Sequence, residues 1–334
     1  DSDTDTVDPD TVVAEWRERL PGSTTLEQRL GELGIDEATL RRHVAQTAWP
    51  AAEPLPAWVD RLDEIARQVA GETPSLPAAV AADDDRPFGP VVRAVAAVAT
   101  ARLPDGVDRD VVAPAVEWLL DRLSRLCERA LYVEFRSFVT HHDPELAATD
   151  PAAVAEPPTT HYETFVDRMV GGAFPALCLE YPFLGRLLAT VTTQFRDVTT
   201  TLLDRIGADR EGLRERFGVD GAVESVTPLA DDTHQGGAVP FRVEFETGRV
   251  VYKPRSTAVG ETLYAVLDRV GEQSGCPRVR TPTVWSRDGY GWVSHHEAAP
   301  ATDEAAIRRY YRRAGCLVAV GHLLGLPDCH HENV

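Results

Sequence analysis

Lysine is almost missing from this sequence. Of 34 basic residues in a chain of 334, one is a lysine, Lys253, and every other is an arginine. Basic charge as a whole is also scarce, with 53 acidic residues and a formal net charge of -19. That balance excludes a partner held by its anionic backbone or headgroups, such as nucleic acid or an anionic membrane. It fits a carboxylate-rich surface suited to high salt. Long apolar runs are absent too, and nothing approaches the roughly 18 residues of a membrane span. Cysteine is sparse: Cys127, Cys178, Cys276, Cys316 and Cys329 are odd in number and include no C-x-x-C pair. A disulfide framework is therefore not expected, and reduced thiols in a cytoplasmic protein are. The first ten residues are acidic and polar, so no secretory signal is expected.

What is present is enough apolar residue, 43% of the chain, to bury a large core and to support two domains. The first half reads as helix. Short amphipathic segments at 11–20, 25–33 and 36–46 are punctuated by Pro21-Gly22 and Gly34, and 58–69 comes next, closed by Gly71. A proline- and aspartate-rich loop covers 73–90. Longer helices are predicted at 91–102 and 111–138, with no visible chemistry on them. Residues 143–160, with four prolines, form the expected linker between a helical scaffold region, 1–142, and a second helical block, 161–220. That second block is interrupted near Gly171-Gly172 and Tyr181-Pro182. Near 220 the period changes from helical to alternating, which marks a boundary with a lobe running from 221 to 334.

That lobe is organised around Lys253. Val239, Phe241, Val243 and Phe245 alternate with polar residues as a half-buried strand. Thr247-Gly248 supplies the turn of a hairpin, and Arg249 to Lys253 returns as its second strand. Pro254 stops the ladder by withdrawing an amide donor. Val259, Leu263, Val266, Leu267 and Val270 then recur at helical spacing. A composition that keeps a single lysine suggests a site needing a compact ammonium instead of a planar guanidinium. Gripping nucleotide phosphates is one such task, with Glu261 on the following helix as the carboxylate that steadies the ammonium. An ordinary surface lysine ending a hairpin is the competing reading.

Two further stretches can carry chemistry. Asp232 and His234, followed by Gly236-Gly237, set an acid and a base two residues apart beside backbone that can approach a ligand closely. They also read as a plain polar loop. Downstream, 283–295 forms another hairpin around Asp288-Gly289. A buried helix is expected from an N-cap at Thr302 to Leu324, ended by Gly325. It leads into Asp328, His330 and Asn333, spaced as a phosphotransfer loop: an aspartate for the hydroxyl and an asparagine for a metal. A zinc site from Cys329, His330 and His331 competes, but it lacks a fourth ligand at regular spacing.

Taken in order, Asp-x-His, a strand, Val-Tyr-Lys-Pro-Arg-Ser, a helix, Tyr-Gly-Trp-Val, a helix and Asp-x-His-x-Glu-Asn resemble the dehydratase domain of class II lanthipeptide synthetases. The resemblance covers about 160–334, including Tyr181-Pro182-Phe183-Leu184. It implies an α+β fold, with a helical N-terminal region followed by a lipid-kinase-like lobe. It also implies ATP- and magnesium-dependent phosphorylation of serine and threonine in a precursor peptide, then elimination to dehydroalanine or dehydrobutyrine. On that basis Lys253 and Arg255 hold the ATP phosphates with Glu261 beside them. Asp328 and His330 serve phosphoryl transfer, Asn333 binds magnesium, and Asp232 and His234 serve elimination. Asp231 stands where the family usually has glycine. Because the sequence given ends at Val334, one residue past Asn333 and before the family's next metal-binding carboxylates and its cyclase domain, a fragment or one half of a split gene is expected. A companion chain would then complete it, and magnesium ATP would bind poorly without one. The alternatives are a kinase-like enzyme acting on a small molecule and a non-catalytic peptide-binding pseudoenzyme.

Overall fold

Three short helices begin the chain: α1 (Pro9–Arg19), α2 (Leu26–Leu33) and α3 (Glu37–Ala45). The Thr25 hydroxyl accepts from the Gln28 amide while the Gln28 side chain accepts from the Thr25 amide. This reciprocal cap satisfies two of the donors that a helix start leaves open. Gly34 ends α2 at φ 70°, a conformation open to residues without a Cβ. Val13, Leu26, Leu30, Leu40 and Val44 form a small core, and Arg17 and Arg41 both pair with Glu37 over it. The structure is a computed structural model and describes residues 8–19, 25–45, 54–71, 74–80, 85–104, 108–149, 159–230, 232–273, 277–297 and 299–326. By its internal contacts the chain divides into two units, Asp1–Asp60 and Arg61–Val334, and the three helices belong to the first.

Helix α4 (Ala57–Val69) leads into the second unit. Its core is built on α5 (Gly89–Thr100), α6 (Ala113–His142) and α10 (Pro182–Ala208), which contact one another. Ten of the twelve residues of α5 are buried, as expected of a segment apolar on nearly every side. Between α6 and α10 run α7 (Pro144–Ala148), α8 (Thr160–Arg168) and α9 (Phe174–Glu180). A π-helical turn, Met169–Ala173, joins the last two, with Gly172 at φ 129°. This turn and Tyr181-Pro182 are the two interruptions the sequence signals. A further helix, α11 (Arg210–Phe217), ends at Gly218 in the left-handed region, and there the strands begin.

Strands β1 (Val223–Pro228), β2 (Phe241–Phe245), β3 (Gly248–Lys253), β4 (Val284–Arg287) and β5 (Tyr290–Ser294) form one antiparallel sheet in the order β1-β2-β3-β5-β4. Helix α12 (Ala258–Gln273) connects β3 to β4, and α13 (Glu304–Leu324) comes after β5. Phe241 pairs with Tyr252 and Tyr252 with Trp292, while Val243 pairs with Val250, so one sheet face is a sealed apolar layer. That layer shares a single core with α5, α6 and α10. The fold is α+β.

The core runs without interruption across both 143–160 and 220, because the inner sheet face has no cover of its own other than the helices. Part of the expected linker is α7, capped by the Asp143 carboxylate accepting from the Leu146 amide. The β2–β3 turn is made by Glu246 and Thr247, with Gly248 already paired to Phe245. Helix α13 is capped by Asp303, not Thr302, since the Asp303 carboxylate reaches the Ala306 amide at 2.6 Å. Only Val320 and Gly321 of α13 are buried. Ile307, Tyr310, Tyr311, Val318, Leu323 and Leu324 are exposed, so among the described residues nothing covers the apolar face that makes this helix read as buried.

Candidate functional site

Lys253 is the last residue of β3, and alternation puts it on the outer sheet face with Val251 and Arg249, opposite the sealed side. Its side chain is half-buried and has no ion pair among the described residues. Burial pushes the ammonium below the usual lysine range, and the charge of Arg255 pushes the same way. Arg255 is exposed in the turn after Pro254. Glu261 lies in the first turn of α12, exposed, and does not pair with Lys253.

Across the ladder from Lys253 stands Gly291. A Cβ there would collide with the Thr257 side chain, because the chain folds back after Pro254 and lays Thr257 against the strand. Thr257 is 8% exposed, and its hydroxyl has no hydrogen-bond partner among the described residues. Among the described residues, an ammonium without an ion-pair partner and a buried hydroxyl without a hydrogen-bond partner therefore flank one glycine at one end of the sheet. Both can donate to a phosphate oxygen, and the positive ammonium, which has no lone pair, repels a metal ion. Thr257 escaped the sequence reading. Its only signal was position, one residue before a helix that starts immediately after the lysine strand.

The Asp232–His234 loop enters β2 at that same sheet end, since Phe241, the first residue of β2, pairs with Tyr252. Asp232 and His234 are both exposed. The backbone beneath them is fixed: the Gly237 amide donates to the His234 carbonyl at 3.0 Å, and Gly236 and Gly237 adopt φ of 70° and 79°. Gly237 packs so closely on Gln194 of α10 that a Cβ would strike it at 2.6 Å. From α6, Trp118 Nε1 donates to the Ala230 carbonyl and Arg122 Nη2 to the Thr233 hydroxyl, each at 3.1 Å. Burial and Arg125 lower the Arg122 pKa, against the pull of Asp232. Arg122 and Trp118 thus position the loop, on a helix whose sequence reads as plain scaffold. An exposed carboxylate and imidazole on a pinned turn suit proton transfer to and from a bound substrate. Asp328, His330 and Asn333, like Asp231, lie outside the described residues.

The sheet is anchored beneath the site by Asp209, at the α10–α11 junction. Its buried carboxylate accepts from Tyr290 OH and Trp292 Nε1, both at 2.8 Å, and pairs with Arg287 at 3.0 Å. Arg205, one turn earlier, lies 4.0 Å from the Tyr290 ring and donates to Tyr252 OH. Among the described residues no helix is long and apolar enough to cross a membrane, and no cluster of potential metal ligands is found.

Residues 181–334 match the family described as "Domain of unknown function (DUF4135)". Over 188 residues the chain is 23% identical to the "Lacticin 481/lactococcin biosynthesis protein LcnDR2" of Lactococcus lactis subsp. lactis. That alignment covers 53% of this chain and 20% of the relative, so the chain spans a small part of the relative's length. The chain is thus similar both to a family named only as a domain of unknown function and to a protein of lantibiotic biosynthesis.

Proposed function

We propose that the chain is the N-terminal part of a class II lanthipeptide dehydratase, acting on serine and threonine of a ribosomally made precursor peptide. Lys253 carries the reading: the sole lysine, half-buried, without a carboxylate partner among the described residues, and next to the orphaned hydroxyl of Thr257. The similarity to a lantibiotic biosynthesis protein supports it. ATP with magnesium would supply the phosphoryl group that turns a hydroxyl into a leaving group. Lys253, Arg255 and Thr257 would hold the phosphates, with Glu261 at the mouth of the same turn. Asp328 and His330 would orient and deprotonate the substrate hydroxyl, and Asn333 would hold the metal.

Elimination falls to the Asp232–His234 loop. One of the pair removes the α-proton of the phosphorylated residue, and its electron pair forms the Cα=Cβ bond. The Cβ–O bond breaks, and phosphate leaves with the electrons of that bond, assisted by a proton from the other group. Co-expression with a candidate precursor peptide, plus any companion chain, tests the reading by mass spectrometry. The expected product loses one water per modified residue. Lys253→Ala and Asp328→Ala leave the peptide unmodified, and His234→Ala accumulates phosphorylated peptide. Dehydration untouched by His234→Ala would refute the elimination role. Peptide binding that survives Lys253→Ala and ignores ATP, with no modification, would point to a non-catalytic protein.

A further inference from the structure

The loop that carries Asp232 and His234 borders a cavity to which the elimination reading gives no part. Its wall comes from three places: Trp118 and Arg122 of α6, Gln194 and Thr199 of α10, and Gly237 and Phe241 at the entry to β2. The cavity measures about 10 Å³. That is close to the least room in which one water molecule can sit, and too little for any larger solute.

Thr199 supplies a second, independent observation. The residue is wholly buried, at 0% exposure, and its hydroxyl has no hydrogen-bond partner among the described residues. Other threonines of the same helix show the bond a helical hydroxyl usually finds, one turn back along the backbone. Thr190 donates to the Arg186 carbonyl, Thr192 to Leu188 and Thr201 to Asp197, at 2.8, 2.7 and 2.7 Å. Thr199 forgoes that bond and belongs to the cavity wall. A hydroxyl taken out of water without a new partner is destabilising. One water in the cavity removes that penalty, and the wall offers it further partners. These are the Gln194 amide and the Arg122 guanidinium, which carries five N–H donors and gives one to Thr233.

We infer that this cavity binds one ordered water, held by the Thr199 hydroxyl and a second polar group of the wall, Gln194 or Arg122. Through that water Thr199 is a positioning residue for the Asp232–His234 loop. Both supports of the loop meet there: Arg122 holds Thr233, and Gly237 lies on Gln194. The water site stands on the cavity and the orphaned hydroxyl, whereas the positioning role rests on the proposed elimination.

A crystal structure of the chain, with thermal unfolding of Thr199→Val and Thr199→Ser, tests the water. Density for an ordered water within hydrogen-bond distance of Thr199 Oγ1 is expected. Valine has nearly the shape of threonine without its hydroxyl, so the sign of its effect decides. Removing an orphaned hydroxyl leaves the midpoint unchanged or raises it, whereas removing a water's partner is expected to lower it by roughly 2 °C. Co-expression with a candidate precursor peptide, plus any companion chain, tests the role. Thr199→Val is expected to slow elimination about tenfold, so that phosphorylated peptide accumulates while phosphorylation proceeds as in wild type, and Thr199→Ser is expected to restore elimination. A dry cavity, or a Thr199→Val midpoint at or above that of wild type, would overturn the water site. Wild-type elimination in Thr199→Val, or equal loss of phosphorylation and elimination in both variants, would remove the positioning role. If His234→Ala fails to accumulate phosphorylated peptide, the elimination reading falls instead, and density and midpoint still decide the water.

Discussion

A half-buried ammonium without a carboxylate beside it holds its charge at a disadvantage, and Lys253 is in that state among the described residues. The disadvantage disappears when an anion arrives, so the pKa of this side chain reports on the proposed ligand. Because the chain contains one lysine, isotopic labelling of lysine gives a single side-chain resonance whose titration can be followed directly. Its pKa is expected below the roughly 10.4 of an unperturbed lysine, and it is expected to climb when magnesium ATP is added. A free-protein value at or above that reference would contradict the burial argument, and a value unmoved by ATP would contradict the phosphate role. Gly291 bears on the same ligand. Gly291→Ala forces Thr257 off the strand and is expected to cost about 1–3 kcal/mol, measured by denaturant unfolding, and to weaken ATP binding with Lys253 intact.

At the level of elements, the decisive contact is between the α10–α11 junction and the outer strands. Asp209 is 2% exposed and holds β4 and β5 through Arg287, Tyr290 and Trp292. Asp209→Ala strands an indole N–H and a phenol away from water and frees the Arg287 charge, a loss of about 3 kcal/mol in chemical denaturation. Stability within a few tenths of wild type would mean the network is incidental. Nothing in the sequence near Asp209 marks it, because its partners lie more than seventy residues downstream. The same is true of Arg122 and Trp118, which reach the Asp232–His234 loop from a helix with an ordinary amphipathic pattern. What the sequence made legible was local: strand alternation around Val243 and Val250, the helix breaks at Gly172 and Tyr181, and the turn at Gly289. Lys253 and His234 stood out as candidates because a lone lysine and a pair of glycines can be seen in the sequence without any distant contact. Thr257 did not, since its orphaned hydroxyl depends on a glycine 34 positions away in another strand. Helix α13 failed in the opposite sense: its apolar spacing reads as burial, yet among the described residues Ile307, Tyr310, Tyr311, Val318, Leu323 and Leu324 are exposed and only Val320 and Gly321 are buried.

For the molecule as a whole, the same desolvation that tunes Lys253 sets an alkaline limit. Burial pushes the Cys127 and Cys178 thiols up to about 12. Burial, and then the hydrogen bond to Glu134, pushes Tyr181 to about 12, and burial also raises Tyr252 and Tyr290. Each of these acids holds its proton more tightly in the folded state than in the unfolded one. Their contribution to stability is therefore complete below the unfolded pKa values, about 8.5 for thiols and 10 for phenols, and is lost as pH rises through the folded ones. Lys253 acts with the opposite sign: its folded pKa is depressed, so its penalty vanishes above the unfolded value near 10.4. One group against five leaves the direction unchanged, and every phenolate formed adds to an already large negative charge. Stability is expected to fall from about pH 9 upward. Exposed tyrosines should ionise first in phenolate absorbance, and the buried ones only together with the loss of helical circular dichroism. Smooth ionisation of all eight tyrosines near pH 10, with the circular dichroism unchanged, would show that the sheet–helix core does not depend on keeping these protons.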